Sequence, residues 1–370
     1  MREAARGAVF HLGLRTLRRQ QRTVRITSVD HGGCNALIAA HQTEANLAGI
    51  VPASSPQAAG VAALVADPRL LTAGAWLAGY FRAHPDGAVG PGLDRRGVQD
   101  PLSDVPIPDW PLPPESAETA SALRRFAVAG LLSACPDGTY RLCRSAEPLL
   151  QAFPLYVHRT AEDFVGRFPR LRECVEGHGV LEAGCGVGAY AAMFRDLGAA
   201  SVIALEYASD RLGTAAALCA AEPRGVRLVR GSVEELPLRD GSVDFIFSRV
   251  VLPYVHHGRT LAEFARVLSQ DGRVMLVLHA RGFYAWQLRR AGLSPRRAGE
   301  IARALLGLAG GASQSLLGWE PRWRLRGRAF HLAYETRGSL GRLAARCGLR
   351  LDEWHDDRHK PVAWLSKGRD

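Results

Sequence analysis

From residue 179 onward the chain alternates short apolar segments with segments of helical periodicity, and that alternation leaves few folds open. The apolar segments are GVLEAG at 179–184, SVIALEY at 201–207, VRLVRG at 226–231, VDFIFSR at 243–249 and RVMLVLHA at 273–280. Between them lie helical segments at 189–198, 209–221 and 256–272, the first and last ending on a glycine stop. Apolar strands alternating with helices predict an α/β domain with a doubly wound, mostly parallel sheet and helices on both faces. After an insertion, residues 339–349 read as a helix and 349–354 as a strand. Residues 361–367 read as a last strand that pairs antiparallel.

The chemistry concentrates where the first of these strands ends, at Val180-Leu181-Glu182-Ala183-Gly184-Cys185-Gly186-Val187-Gly188. Glycines there let the backbone turn sharply and bring it against a ligand with no Cβ in the way. Dinucleotide-binding loops use similar glycines, but here the third follows the second after one residue, and Glu182 precedes the first. A carboxylate at that place repels a pyrophosphate and pairs with an amino-acid ammonium, which favours S-adenosylmethionine over a dinucleotide. The second strand ends in Glu206, 24 residues after Glu182, where a carboxylate can accept from both hydroxyls of a ribose.

The third strand leads to Gly231-Ser232-Val233-Glu234-Glu235-Leu236-Pro237 and the fourth to Ser248-Arg249-Val250. The series VLEAGCGVG, LEYA, GSVEELPLRDGSVDFIFSRVVLPYV and LAEFARVLSQDG resembles the class I S-adenosylmethionine-dependent methyltransferases. Within them it is most similar to the small-molecule group of the ubiquinone and menaquinone biosynthesis type. The resemblance covers about 164–278 plus the terminal strands and implies a Rossmann-like sheet of seven strands. It assigns Glu182, Gly184, Cys185, Gly186 and Gly188 to the methionine moiety of the cofactor, and Glu206 with Tyr207 to the ribose. Ser232 and Val233 would flank the adenine, and Ser248 would line the mouth where the methyl group is passed. The family's usual aspartate is Ser232 here, which removes a charged acceptor for the adenine amino group.

No catalytic motif follows the fourth strand. The Asn-Pro-Pro-Tyr type of segment that marks methylation of base or amide nitrogens is replaced by Ser248-Arg249-Val250-Val251. Catalysis would rest on proximity and alignment. His256 and His257 are the candidate bases, although a histidine pair that opens a helix ordinarily sits on the surface.

Residues 281–330 hold ten arginines against Glu300 and Glu320, with Phe283, Tyr284, Trp286, Trp319 and Trp323 among them. In the family that the motifs resemble, an insertion here caps the acceptor, and this composition suits an acidic or aromatic acceptor or an anionic lipid surface. Only two of the chain's 47 basic residues are lysines, so its formal charge of +11 is discounted as a sign of nucleic-acid binding. Seven scattered cysteines with no CxxC pair suit a reducing cytoplasm and neither a disulfide framework nor a zinc site.

Three segments are expected: an accessory domain at 1–113, a helix-and-hairpin connector at 114–163, and the methyltransferase domain at 164–370 with its cap. The connector is read from SAETASALRRFAVAGLL, capped by Ser116, followed by a turn at Asp137-Gly138. The accessory segment is similar to the small iron–sulfur subunit of [NiFe] hydrogenases and NADH:quinone oxidoreductase, in a degenerate form. That resemblance rests on VRITSVDHGGCNALIAA, IVPASSPQAAGVAALV and DVPIPDWPLPPESAETASAL. Only Cys34 remains of the cluster ligands; Leu37 and Asp109-Trp110 stand at the others, so no [4Fe–4S] cluster and no metal is expected. The expected function is methyl transfer from S-adenosylmethionine to a small acceptor that is quinone-like, lipid-like or acidic. The alternatives are an assembly protein docked on a membrane oxidoreductase complex, and a nucleic-acid methyltransferase.

Overall fold

The structure, a computed structural model, describes residues 56–84, 86–90, 109–113, 116–219, 226–292, 298–325 and 328–368. It opens with α1 (Pro56–Ala66) and α2 (Pro68–Ala83), the latter started by Asp67, whose carboxylate accepts from the amides of Arg69 and Leu70. α3 (Ala117–Val128) has the expected Ser116 cap, with the hydroxyl accepting from Thr119 N. The expected hairpin follows as β1 (Leu132–Ala134) and β2 (Tyr140–Leu142), turned at Gly138. Four short helices then lead to the sheet: α4 (Glu147–Leu150), α5 (Phe153–Glu162), α6 (Phe164–Arg167) and α7 (Arg170–Val175).

The expected division at 113/114 does not divide the core. Leu64, Trp76, Leu77 and Phe81 are buried in one apolar cluster with Leu123, Phe126, Phe153 and Tyr156. Val187 and Ala189, from the glycine-rich turn and the helix after it, belong to the same cluster. Trp110 shows why: its indole meets Trp76 edge-on at 5.4 Å and donates to Thr119 Oγ1 at 3.2 Å, tying the proline-rich segment to α2 and α3. A core tryptophan thus stands where the iron–sulfur resemblance would need a ligand loop. Cys34 and Leu37 lie outside the described residues.

The main domain runs β3 (Gly179–Ala183), α8 (Ala189–Asp196), β4 (Ser201–Glu206), α9 (Ser209–Cys219), β5 (Val226–Arg230), β6 (Val243–Arg249), α10 (His257–Val267) and β7 (Leu268–Val277). The cap adds α11 (Arg281–Ala291), α12 (Ala298–Leu317) and the hairpin β8 (Arg322–Leu325) and β9 (Arg328–His331). α13 (Arg337–Arg346), β10 (Leu349–His355) and β11 (Val362–Lys367) close the chain. The seven strands lie in the order β10-β11-β7-β6-β3-β4-β5, with β11 antiparallel to both of its neighbours and the other pairs parallel. Chain order reverses between β3 and β6, which opens a crevice at their carboxyl ends, the place where open α/β sheets take ligands.

One element boundary differs from the expectation. α10 ends at Val267 and not at Gly272, and β7 begins at Leu268. Leu268 pairs with Val243 across the sheet, and Lys367 Nζ donates to its carbonyl at 2.9 Å. The strand ladder therefore claims residues that local helical pattern would give to α10. Among the described residues no single helix is long and apolar enough to cross a membrane.

Candidate functional site

The glycine-rich turn sits at the crevice, and its shape follows from three positive φ angles: Gly184 at 81°, Gly186 at 57° and Gly188 at 78°. L-residues rarely hold that region. A second constraint acts at Gly184, where a Cβ would fall 2.2 Å from Val251 Cγ2. Gly186 is different: a Cβ there meets nothing within 4 Å, so that side of the turn is open. Gly188 is the N-cap of α8, so the positive end of that helix begins at the turn and complements a carboxylate.

Glu206 does more than end β4. Its Oε2 accepts from Gly186 N and its Oε1 from Ala208 N, each at 2.9 Å, and the residue is only 8% exposed. The carboxylate therefore holds the turn in shape. Its burial and two amide bonds make it part of the turn's scaffold. On the other side of the turn, Tyr156 Oη donates to Val187 O at 3.3 Å, so α5 braces the loop. Glu182 is buried on β3, in register with Ala204 and Phe247.

The remaining expected positions are spread over several roles. Cys185 is buried in the core that packs behind the turn, its amide donating to Leu205 O and its carbonyl accepting from Gly188 N, so its part is to shape the turn. Tyr207, one residue beyond Glu206, is 74% exposed. Ser232 Oγ accepts from Glu234 N at 3.1 Å, and the Val233 side chain is buried with Leu236 in the sheet core. The loop they form is anchored when His256 N donates to Glu234 Oε1 and Leu236 N to Glu263 Oε2. Ser248 is buried, its hydroxyl donating to Ala183 O at 3.1 Å. It ties β6 to β3 beneath the mouth and does not present its hydroxyl to an acceptor.

The histidine pair departs from the surface expectation. His256 caps α10, its Nδ1 accepting from Arg259 N, and it approaches Glu320 at 3.4 Å. His257 is fully buried, with Nδ1 2.6 Å from Glu335 Oε1, while Glu335 also accepts from Ser339 Oγ. Burial alone would push His257 down, but the hydrogen bond and charge of Glu335, with Glu320 behind, hold its pKa above the ordinary histidine value. Both rings serve as junctions between α10 and the cap.

A third histidine, missed from the sequence, lies just beyond the end of β7. His279 is buried, stacks on Phe283 with ring centroids 3.6 Å apart, and meets Tyr254 and Tyr284 edge-on. Desolvation, helped by the charges of Lys360 and Arg249, lowers its pKa to about 3 and keeps it neutral. Neither His279 Nδ1 nor Tyr284 Oη has a hydrogen-bond partner. The signal in the sequence was position: a histidine two residues past a strand that ends at the crevice. Val250, whose amide donates to Val277 O at the end of β7, holds φ at 57°, a conformation in which a β-branched residue is strained and which recurs at functional sites. Among the described residues no cluster of histidine, cysteine and carboxylate side chains could hold a metal ion.

The sequence comparisons fall on this region. Residues 181–276 match the model of a methyltransferase domain family. A malonyl-[acyl-carrier protein] O-methyltransferase of Yersinia pestis is 34% identical over 127 residues, which are 33% of this chain and 46% of that protein. The uncharacterized methyltransferase YcgJ of Bacillus subtilis is 34% identical over 122 residues, 31% of this chain and 46% of that one. The chain thus spans about half the length of these curated relatives. A crystal structure of an S-adenosylmethionine-dependent methyltransferase from Mesorhizobium loti aligns over 55% of this chain and 98% of its own, at 19% identity and a TM-score of 0.39. None of these matches supports the iron–sulfur resemblance of the first hundred residues. Over residues 181–276 the chain is therefore similar to methyltransferase domains, both in the family model and in the curated relatives.

Proposed function

We propose that the chain transfers the methyl group of S-adenosylmethionine to a small-molecule acceptor. The observation that carries this reading is the turn at 184–188, held from below by Glu206 and open above Gly186 at the switch point of the sheet. These residues fit the cofactor: the α8 N-terminus suits its carboxylate, the acidic Glu182 its ammonium and Glu206 its ribose. When bound, the cofactor supplies an electrophilic methyl carbon. The acceptor's lone pair forms the new bond to that carbon as the carbon–sulfur bond breaks and its electron pair stays on sulfur.

What this chain's own residues add is position and exclusion of water. Tyr254, Phe283 and Tyr284 cluster with His279 just past the end of β7, and alignment of the acceptor is the main contribution that such a site makes. His279 Nδ1, held neutral and without a partner, can exchange a hydrogen bond with the acceptor, and a pKa of about 3 makes it too weak a base to take a proton.

Calorimetry with S-adenosylhomocysteine, followed by an acceptor screen, tests the reading. Glu206→Gln is expected to weaken binding by roughly 10- to 100-fold, as a charge-assisted acceptor is lost. Glu206→Ala adds a second loss, because Gly186 N and Ala208 N are left without their acceptor, and is expected to lower the melting temperature as well. Wild-type affinity in a folded Glu206→Gln variant would overturn the assignment.

A further inference from the structure

A cavity of about 580 Å³ opens among the first turn of α11, the start of α13 and the loop before β11. Its wall holds Arg281, Arg289, Arg337 and Arg358, contributed by three separate stretches of chain. Backbone geometry fixes their approach. Ala280 N donates to His359 O and Leu278 N to Pro361 O, which lays the first turn of α11 against the loop before β11. That approach is close enough that a Cβ on Gly282 would fall 2.2 Å from Arg358 O. Along α11, Arg281, Ala285 and Arg289 recur every four residues on one face, and the small Ala285 leaves room between the two guanidinium groups. Thr336 caps α13 and so fixes Arg337 at its first turn.

Hydrogen-bond partners decide what this cavity can take. Its wall also carries Glu335, Asp356 and Asp357. Each of these carboxylates is already committed: Glu335 to His257 and Ser339, Asp356 to the Trp354 indole, and Asp357 to the amides of His359 and Lys360. Among the described residues, none of the four arginines has a hydrogen bond or an ion pair. Four uncommitted guanidinium groups around one cavity are arranged for an anion, since each can offer paired N–H donors to a carboxylate or phosphate.

We propose that this cavity holds the anionic end of the methyl acceptor, a carboxylate or phosphate group. The inference rests on the methyl-transfer reading. The cavity lies at the same edge of the sheet as the glycine-rich turn, beside the ends of β7 and β11. These strands are two and three places from β3, about 10 and 14 Å at ~4.8 Å per strand. The acceptor is therefore elongated, with its charge in the arginine cavity and its methylated atom at the mouth beside His279. Tyr334 and Trp354 give the cavity an apolar wall for the stretch between.

The test uses two probes, sodium pyrophosphate and sodium glutarate, each at fixed ionic strength and without cofactor. Either anion at about 10 mM is expected to raise the melting temperature of the full chain by roughly 2 °C or more. Arg281→Ala/Arg337→Ala should abolish the shift, whereas Arg322→Ala/Arg324→Ala, which removes two exposed arginines of the cap hairpin, should keep it. Response to pyrophosphate alone assigns a phosphate, and response to glutarate alone a carboxylate. No shift with either anion, a shift that survives in the first double variant, or one that disappears equally in both variants overturns the proposal. S-adenosylhomocysteine affinity is measured in the same proteins and should be unchanged in both variants. Its absence in the wild type would overturn the methyl-transfer reading and leave the anion result standing.

Discussion

Replacing Gly186 by valine is expected to abolish S-adenosylhomocysteine binding, by roughly 100-fold or more, while the far-ultraviolet circular dichroism stays near wild type. Two costs converge. At φ 57° a β-branched residue is strained by about 1–2 kcal/mol, and the added isopropyl group projects into the space left open above the turn. Nothing within 4 Å of the new Cβ belongs to the protein, so no core contact is broken. Gly184→Ala makes the contrast. There the Cβ falls 2.2 Å from Val251 Cγ2 at φ 81°, so this smaller change strikes the fold and should lower the melting temperature. Calorimetry and thermal melts of the two variants separate the cases. A Gly186→Val protein that binds within a few-fold of wild type would show that the cofactor does not use this turn.

The parts of this architecture that were legible in the sequence are those governed by local pattern. Alternating apolar and helical segments announce β3 to β7, and glycine punctuation announces the turn at 184–188. Pattern misleads where a long-range partner decides. Leu268-Ser269-Gln270-Asp271-Gly272 reads as a helix end, yet Leu268 is taken by Val243 on β6. Glu206 was legible as a strand-tip carboxylate, but its hold on Gly186 depends on a contact across 20 residues. His257 looked like a surface residue because the segment that buries it, after the cap, returns 78 residues later and brings Glu335. The arginine cavity was invisible for the same reason. The sequence shows an arginine-rich insertion, but Arg337 and Arg358 come from outside it, and only the fold brings them to Arg281.

Removing the partner of His257 is the largest stability change expected. Glu335→Ala leaves a buried imidazolium, or forces it to deprotonate in a site built for its charge. Loss of one member of a buried pair typically costs about 3–5 kcal/mol. Glu335→Gln keeps the shape and a hydrogen-bonding oxygen and should cost less. The pair also writes itself into the pH dependence. In the fold, burial disfavours the charged ring, but Glu335 and Glu320 outweigh it and raise the His257 pKa above its unfolded value of about 6.5. Folding therefore binds a proton more tightly than the unfolded chain does. The stabilisation is fully present below about pH 6.5 and is lost as pH rises through the folded value. His331 faces Glu320 from β9 at 3.1 Å, and desolvation lowers its pKa, so its own contribution runs the other way and must be held constant. Urea denaturation of wild type, His257→Gln and Glu335→Gln from pH 6 to 9, all with His331 intact, isolates the pair. Wild-type stability should fall over this range relative to both variants. Parallel curves for the three proteins would mean that His257 is neutral in the fold and that Glu335 holds it by a hydrogen bond alone.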